Sequence, residues 1–126
     1  MIAVGRALCR WREQHATLSL LGLRARLSTD VDAGVPEGAR SVLMLRCEAT
    51  ECRAVVPFGV TEELKAGRTE DLEALVLAVW AAMDGKAYLV DPDAAIHRLT
   101  LRAASFERDA GLAGTATLEW EGLASW

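Results

Sequence analysis

The sequence contains no asparagine and only two histidines, His15 and His97, which leaves few parts for a nucleophile–base–orienter triad. No Gly-x-Ser-x-Gly elbow, Walker loop, Gly-x-Gly-x-x-Gly fingerprint or His-Glu-x-x-His pair occurs. The chain therefore reads as a non-enzyme. Lysine is scarce: of 14 basic residues only Lys65 and Lys86 are lysines, and the rest are arginines, a bias we attribute to codon usage. Cysteine is scarce too. Cys9, Cys47 and Cys52 are odd in number, and no apolar run follows Arg6, Arg10 and Arg12 as a secretory leader requires, so reduced thiols in a bacterial-type cytosol are expected. A Cys47–Cys52 disulfide is geometrically possible across a hairpin but disfavoured there. The longest uncharged stretch able to form a helix, residues 74–83, is about half of what a bilayer demands, so no membrane association is expected.

Metal and cofactor sites are not expected either. Cys47-x4-Cys52 offers two thiolates, but structural zinc sites pair such a motif with a second pair, and only Cys9, His15 and His97 remain. Asp30 with Asp32, and Asp91 with Asp93, are carboxylates two apart beside Gly and Pro. Without the other oxygen ligands of a calcium loop they read as turn chemistry.

What is present suits one globular domain spanning residues 1–126: 52% hydrophobic and 25% charged residues, with 18 acidic against 14 basic side chains. A chain of this length buries roughly two thirds of its unfolded surface and needs no metal or disulfide to hold a core. The net charge of −4 argues against tight nucleic-acid binding, because a basic surface is needed to displace phosphate counterions.

Local patterns place the elements. Val4, Ala7, Leu8 and Trp11 form one helical stripe within residues 1–16, with Gly5 weakening the first turn by about 1 kcal/mol. From Thr17 the period changes: Leu21, Leu23, Ala25 and Leu27 share one parity against Arg24 and Arg26, which predicts a strand with one wet face. Residues 29–40 are rich in Asp, Gly and Pro and make a long exposed loop of the kind that carries partner contacts. Runs 41–47 and 51–60 suggest a hairpin, and Pro57, which cannot donate to a ladder, places the second run at an edge or a bulge. A helix is predicted over residues 70–84, with Thr69 as N-cap, Glu70 and Asp71 at its positive end and Gly85 as the C′ residue. Its stripe of Leu72, Leu75, Val76, Val79, Trp80 and Met83 demands burial on a sheet. Strands follow at 86–90, 96–106 and 115–121, with turns at Asp91-Pro92-Asp93 and 107–114. Leu99, Leu101 and Ala103 alternate with arginines and Thr100; Ala116, Leu118 and Trp120 alternate with Thr117 and Glu119. The order α-β-ββ-α-β-ββ gives an α+β fold, a mainly antiparallel sheet with two helices packed on one face. Trp126, after a short tail, is a candidate interface anchor.

This layout resembles the tail terminator or tail-completion proteins of long-tailed bacteriophages (minor tail protein U-like). The likeness lies in the N-terminal helix, the loop leading into a strand (TDVDAGVPEGARSVLML), the hairpin, the Ala-rich helix 69–84 and its following strand, and HRLTLRAASFERDAGLAGTATLEW, which looks like the family's long strand, turn and returning strand. The resemblance implies a virion structural protein, made in the host cytoplasm, that forms a homo-oligomeric ring, typically a hexamer. Such a ring caps the head-proximal end of the tail tube, stops tube polymerisation and meets the head–tail connector, while DNA passes through an acidic lumen without specific binding. Subunit contacts are expected from the loop residues Asp30, Asp32, Val35 and Pro36, from the strand bearing Pro57, and from Trp126. The competing expectation is a monomeric or dimeric bacterial protein-binding module of the immunity or adaptor type, with a concave acidic patch.

Overall fold

A computed structural model describes residues 2–30, 39–47, 55–67, 69–85, 89–91, 94–108 and 114–126. The N-terminal stripe forms helix α1 (Ile2–Gln14), with Val4, Ala7 and Leu8 fully buried and Trp11 half-buried. Gly5 is a packing residue: a Cβ there would lie 2.5 Å from Leu27 Cδ2 and 3.1 Å from Leu45 Cδ1, so its absence lets α1 press onto the strands. The chain then makes a second short helix, α2 (Ala16–Leu20), where the change of period at Thr17 predicts strand. Burying Leu18 while α2 lies against α3 settles that segment, and the strand parity holds only from Leu23 onward. Gly22, at φ 71°, makes the turn out of α2 in a conformation that a side chain resists.

Six strands follow: β1 (Arg24–Leu27), β2 (Arg40–Arg46), β3 (Val56–Ala66), β4 (Leu89–Asp91), β5 (Ala94–Arg108) and β6 (Gly114–Ser125). They form one sheet in the order β1-β2-β3-β6-β5-β4; β1 runs parallel to β2 and every other pair is antiparallel. Helix α3 (Thr69–Met83) links β3 to β4. Its residues Leu72, Leu75, Val76, Val79 and Met83 are buried, each contributing on the order of 1.5–3 kcal/mol. Gly85, at φ 69°, ends it as the C′ residue. Trp80 departs from the expected stripe: it is 46% exposed. The fold is α+β, with helices and core on one side of a mainly antiparallel sheet.

One face of every long strand feeds a single core. Phe58, Val60, Glu62, Leu64 and Ala66 of β3 alternate inward, as do Ala116, Leu118, Trp120 and Ala124 of β6. The reading that ends the second hairpin strand at residue 60 is thus short by six positions, because Thr61-Glu62-Glu63 looks too polar for a sheet interior until Glu62 finds its partners. Neither the edge nor the bulge expected at Pro57 is found: β3 lies inside the sheet, between β2 and β6, and pairs with β6 without a register shift at Pro57. Proline is tolerated because the described part of β2 ends its pairing at Arg46, opposite Gly59, so among the described residues Pro57 is paired only on its β6 side, with Leu123.

Strand β5 carries two register shifts, between Ile96 and Arg98 and between Leu101 and Ala103. The second reverses parity, so Ala103 does not share a face with Leu99 and Leu101; it opposes Glu119, while Ala104 opposes Leu118. The turn residues 92–93 and 109–113 lie outside the described residues.

Candidate functional site

The most unusual chemistry lies inside the core. Arg12 of α1 and Glu62 of β3 are both fully buried and form a two-pronged ion pair, Nε to Oε2 at 2.7 Å and Nη2 to Oε1 at 2.9 Å. Ser41 donates to Glu62 Oε2 at 2.5 Å, Trp120 Nε1 donates to Oε1 at 2.9 Å, and Arg12 Nη1 reaches the Leu8 carbonyl at 3.2 Å. Burial is the strongest single influence on Glu62 and pushes its carboxyl upward. The Arg12 charge and the donated hydrogen bonds together outweigh it, holding the group below its ordinary value. This cluster ties α1, β2, β3 and β6 together, and with no route to solvent it serves structure. The sequence carries one signal for it: Arg12 follows Val4 and Leu8 at helical spacing and so sits on the apolar stripe.

The surface is where another molecule can act. At one side of the sheet, β1 is blunted: its Ala25 N–H donates to Glu13 Oε1 at 2.9 Å, and Arg26 Nη1 donates to the same oxygen at 2.8 Å. At the other side, β4 covers residues 94–96 of β5. Just beyond, Gly85 N–H donates to the Leu99 carbonyl at 2.8 Å and Leu101 N–H donates to Asp84 Oδ1 at 2.8 Å. Asp84 Oδ2 also accepts from Trp80 Nε1 at 3.0 Å, fixing the end of α3 against the strand. From residue 103 to 108 the outer flank of β5 has no partner among the described residues. Side chains 103–107 are exposed on both faces of the sheet, Phe106 at 51%, and α3 beside β5 adds exposed Leu77 and Trp80.

The sheet face opposite the helices is covered by no element among the described residues and holds a depression of about 720 Å³. Register places Arg46, Gly59, Glu121 and Thr100 in one row across β2, β3, β6 and β5, with Pro57, Leu123 and Arg98 in the next. Gly59 supplies no side chain to its row and lines the hollow. Arg46 reaches over it to Thr61 and to Glu119 Oε2, the latter at 3.0 Å. Arg102 Nε pairs with Glu121 Oε2 at 2.8 Å.

Among the residues expected at subunit contacts, Asp30 ends a 3₁₀ turn (Ser28–Asp30) that lies against β2. Asp32, Val35 and Pro36 fall outside the described residues, as does Cys52. Pro57 is exposed and lines the depression. Trp126 follows β6 directly and is half-buried against the core, so the chain itself covers part of the expected anchor. Cys9 and Cys47 are free thiols, and burial pushes Cys9 up to about 11. His97 is exposed with Nε2 3.0 Å from Ser125 Oγ, while His15 Nδ1 is buried and unpartnered among the described residues. No group of three His, Cys, Asp or Glu side chains among the described residues converges as a metal site, and no described helix is long and apolar enough to cross a membrane. No protein-family model matches the chain, and a search of curated proteins finds no relative.

Proposed function

We propose that this protein is a structural subunit that works by assembling with copies of itself, of the phage tail-terminator type: a ring, six-membered in the form the resemblance implies, that caps the head-proximal end of a tail tube. In that role it is a virion component made in the host cytoplasm. It stops tube polymerisation, presents a surface to the head–tail connector and lets DNA pass through its lumen unbound. The observation that carries the reading is the open flank of β5 at residues 103–108. Proteins that stay monomeric blunt such flanks with lysine, proline or a covering element. Here β1 is blunted by Glu13 and the rest of β5 by β4, Asp84 and Gly85, whereas the stretch bearing Phe106 is bare among the described residues. A head-to-tail ring closes on itself and covers such flanks in every copy. The net charge of −4 suits a lumen that DNA crosses without sticking.

A monomeric or dimeric module of the immunity or adaptor type, as expected from sequence, would meet its partner through an acidic concavity. The hollow on the open sheet face is rimmed by arginines, so the ring reading is preferred. Native mass spectrometry and negative-stain imaging of the protein, alone and with tube protein, test the proposal. A closed ring of fixed stoichiometry, formed alone or on tube ends, is the expected result. A concentration-independent monomer that ignores tube protein overturns it.

A further inference from the structure

We infer that the depression on the open sheet face is the docking site for the acidic segment, residues 29–39, of a second copy of this chain; the inference rests on the self-assembly reading and names one of its contacts. Gly59 lines the hollow, and a Cβ there would stand 3.0 Å from Arg46 Nη2. Its floor is apolar, with Pro57 and Leu123 paired across β3 and β6, and its rim is cationic. Of the four charged side chains lining it, Arg46, Arg98, Arg102 and Glu121, three are arginines. Arg46 and Arg102 are held by Glu119 and Glu121, but Arg98 is exposed and has no ion pair or hydrogen bond among the described residues. The uncompensated charge of the hollow is that of Arg98, and on a chain of net charge −4 this cation favours an acidic occupant.

The same chain carries a complementary segment. Residues 29–39 contain Asp30, Asp32 and Glu37 and no basic residue, with Val35 and Pro36 between the last two acids. Lengths agree as well. Arg46 on β2 and Arg98 on β5 stand three strand spacings across and two residues along the strands apart, about 16 Å. Asp32 and Glu37 are five residues apart, which an extended chain spans in about 17 Å at most. A neighbour's segment laid across the strands sets one carboxylate at each arginine rim and Val35-Pro36 over the Pro57–Leu123 floor. Head-to-tail repetition of this contact uses one segment and one hollow per copy, the requirement for a closed ring.

The test uses charge reversal in two chains. R98E and D32R should each weaken self-association by about tenfold or more. Mixing the two variants should restore it, because the cation introduced at position 32 of one copy then meets the carboxylate introduced at position 98 of the next. Restoration only by mixing, or by both changes in one chain, is the expected result. Unchanged assembly in R98E overturns the inference while leaving the ring itself standing. A labelled peptide of residues 29–39, titrated by fluorescence anisotropy, decides the matter even where the full chain stays monomeric. Binding weakened about tenfold by R98E supports the site, and no binding, or binding indifferent to R98E, overturns it.

Discussion

Glu62 is the residue on which the interior turns. Its carboxylate accepts hydrogen bonds from Arg12, Ser41 and Trp120 in a site fully closed to water. Glu62→Gln leaves the Arg12 guanidinium buried without a counter-charge, and a loss of about 3–5 kcal/mol in chemical denaturation is expected. The same pair sets an acid limit. The carboxyl titrates lower in the folded chain than its ordinary 4.5, so the folded state binds fewer protons there. Its stabilisation is complete above about 4.5 and is lost as pH falls through the folded value. Melting temperature should therefore drop steeply on acidification below that point, and E62Q should flatten this limb. Cys9 shows the opposite effect of burial: with its thiol held at about 11, it should resist alkylation near pH 8 in the native protein and react at once on unfolding, which mass spectrometry of labelled peptides can follow.

At the scale of elements, β5 is a strand whose two halves live differently. The outer flank of its first half is covered at residues 94–96, at the Leu99 carbonyl and at the Leu101 N–H, whereas residues 103–108 are paired on the β6 side alone among the described residues. Phe106→Lys places a charge on the open half, where substitutions of exposed side chains change stability by only about 0.5 kcal/mol. The expected outcome is an unchanged melting temperature with assembly abolished in sedimentation velocity; full assembly of F106K counts against the flank as an interface. Most elements are legible in the sequence because their periods are strong. The α3 stripe, the Gly85 stop and the alternation in β6 all announce themselves. What misleads is local polarity. Thr61-Glu62-Glu63 hides the second half of β3, the run after Thr17 conceals α2, and the bulge at Arg102 turns Ala103 away from the face its spacing suggests.

For the whole molecule, charge and shape act together. With net charge −4 the protein should show no band shift with duplex DNA at about 0.15 M salt, while its arginine-rimmed hollow still takes a local acidic segment. Tight DNA binding under those conditions would contradict an unbound passage through a lumen. The candidate surfaces are only partly legible: Pro57 stands out in the sequence for its missing N–H, and the structure places it in the hollow's floor, inside the sheet. Arg46, Arg98 and Arg102 are drawn from two separate strands, so no spacing could announce them as one rim.

The sequence by itself determined the α+β class, the order of the strands and of the two long helices, and the sign of the net charge, because these follow from composition and from periods of two and of 3.6 residues. Tertiary structure decided the rest. It made Glu62 a core residue by bringing Arg12, Ser41 and Trp120 to it, put β3 in the sheet's interior, left residues 103–108 of β5 without an outer partner among the described residues and gathered three arginines around one hollow. Each of these depends on which distant segments become neighbours, and a linear pattern reports only what recurs within a few turns of helix or one strand.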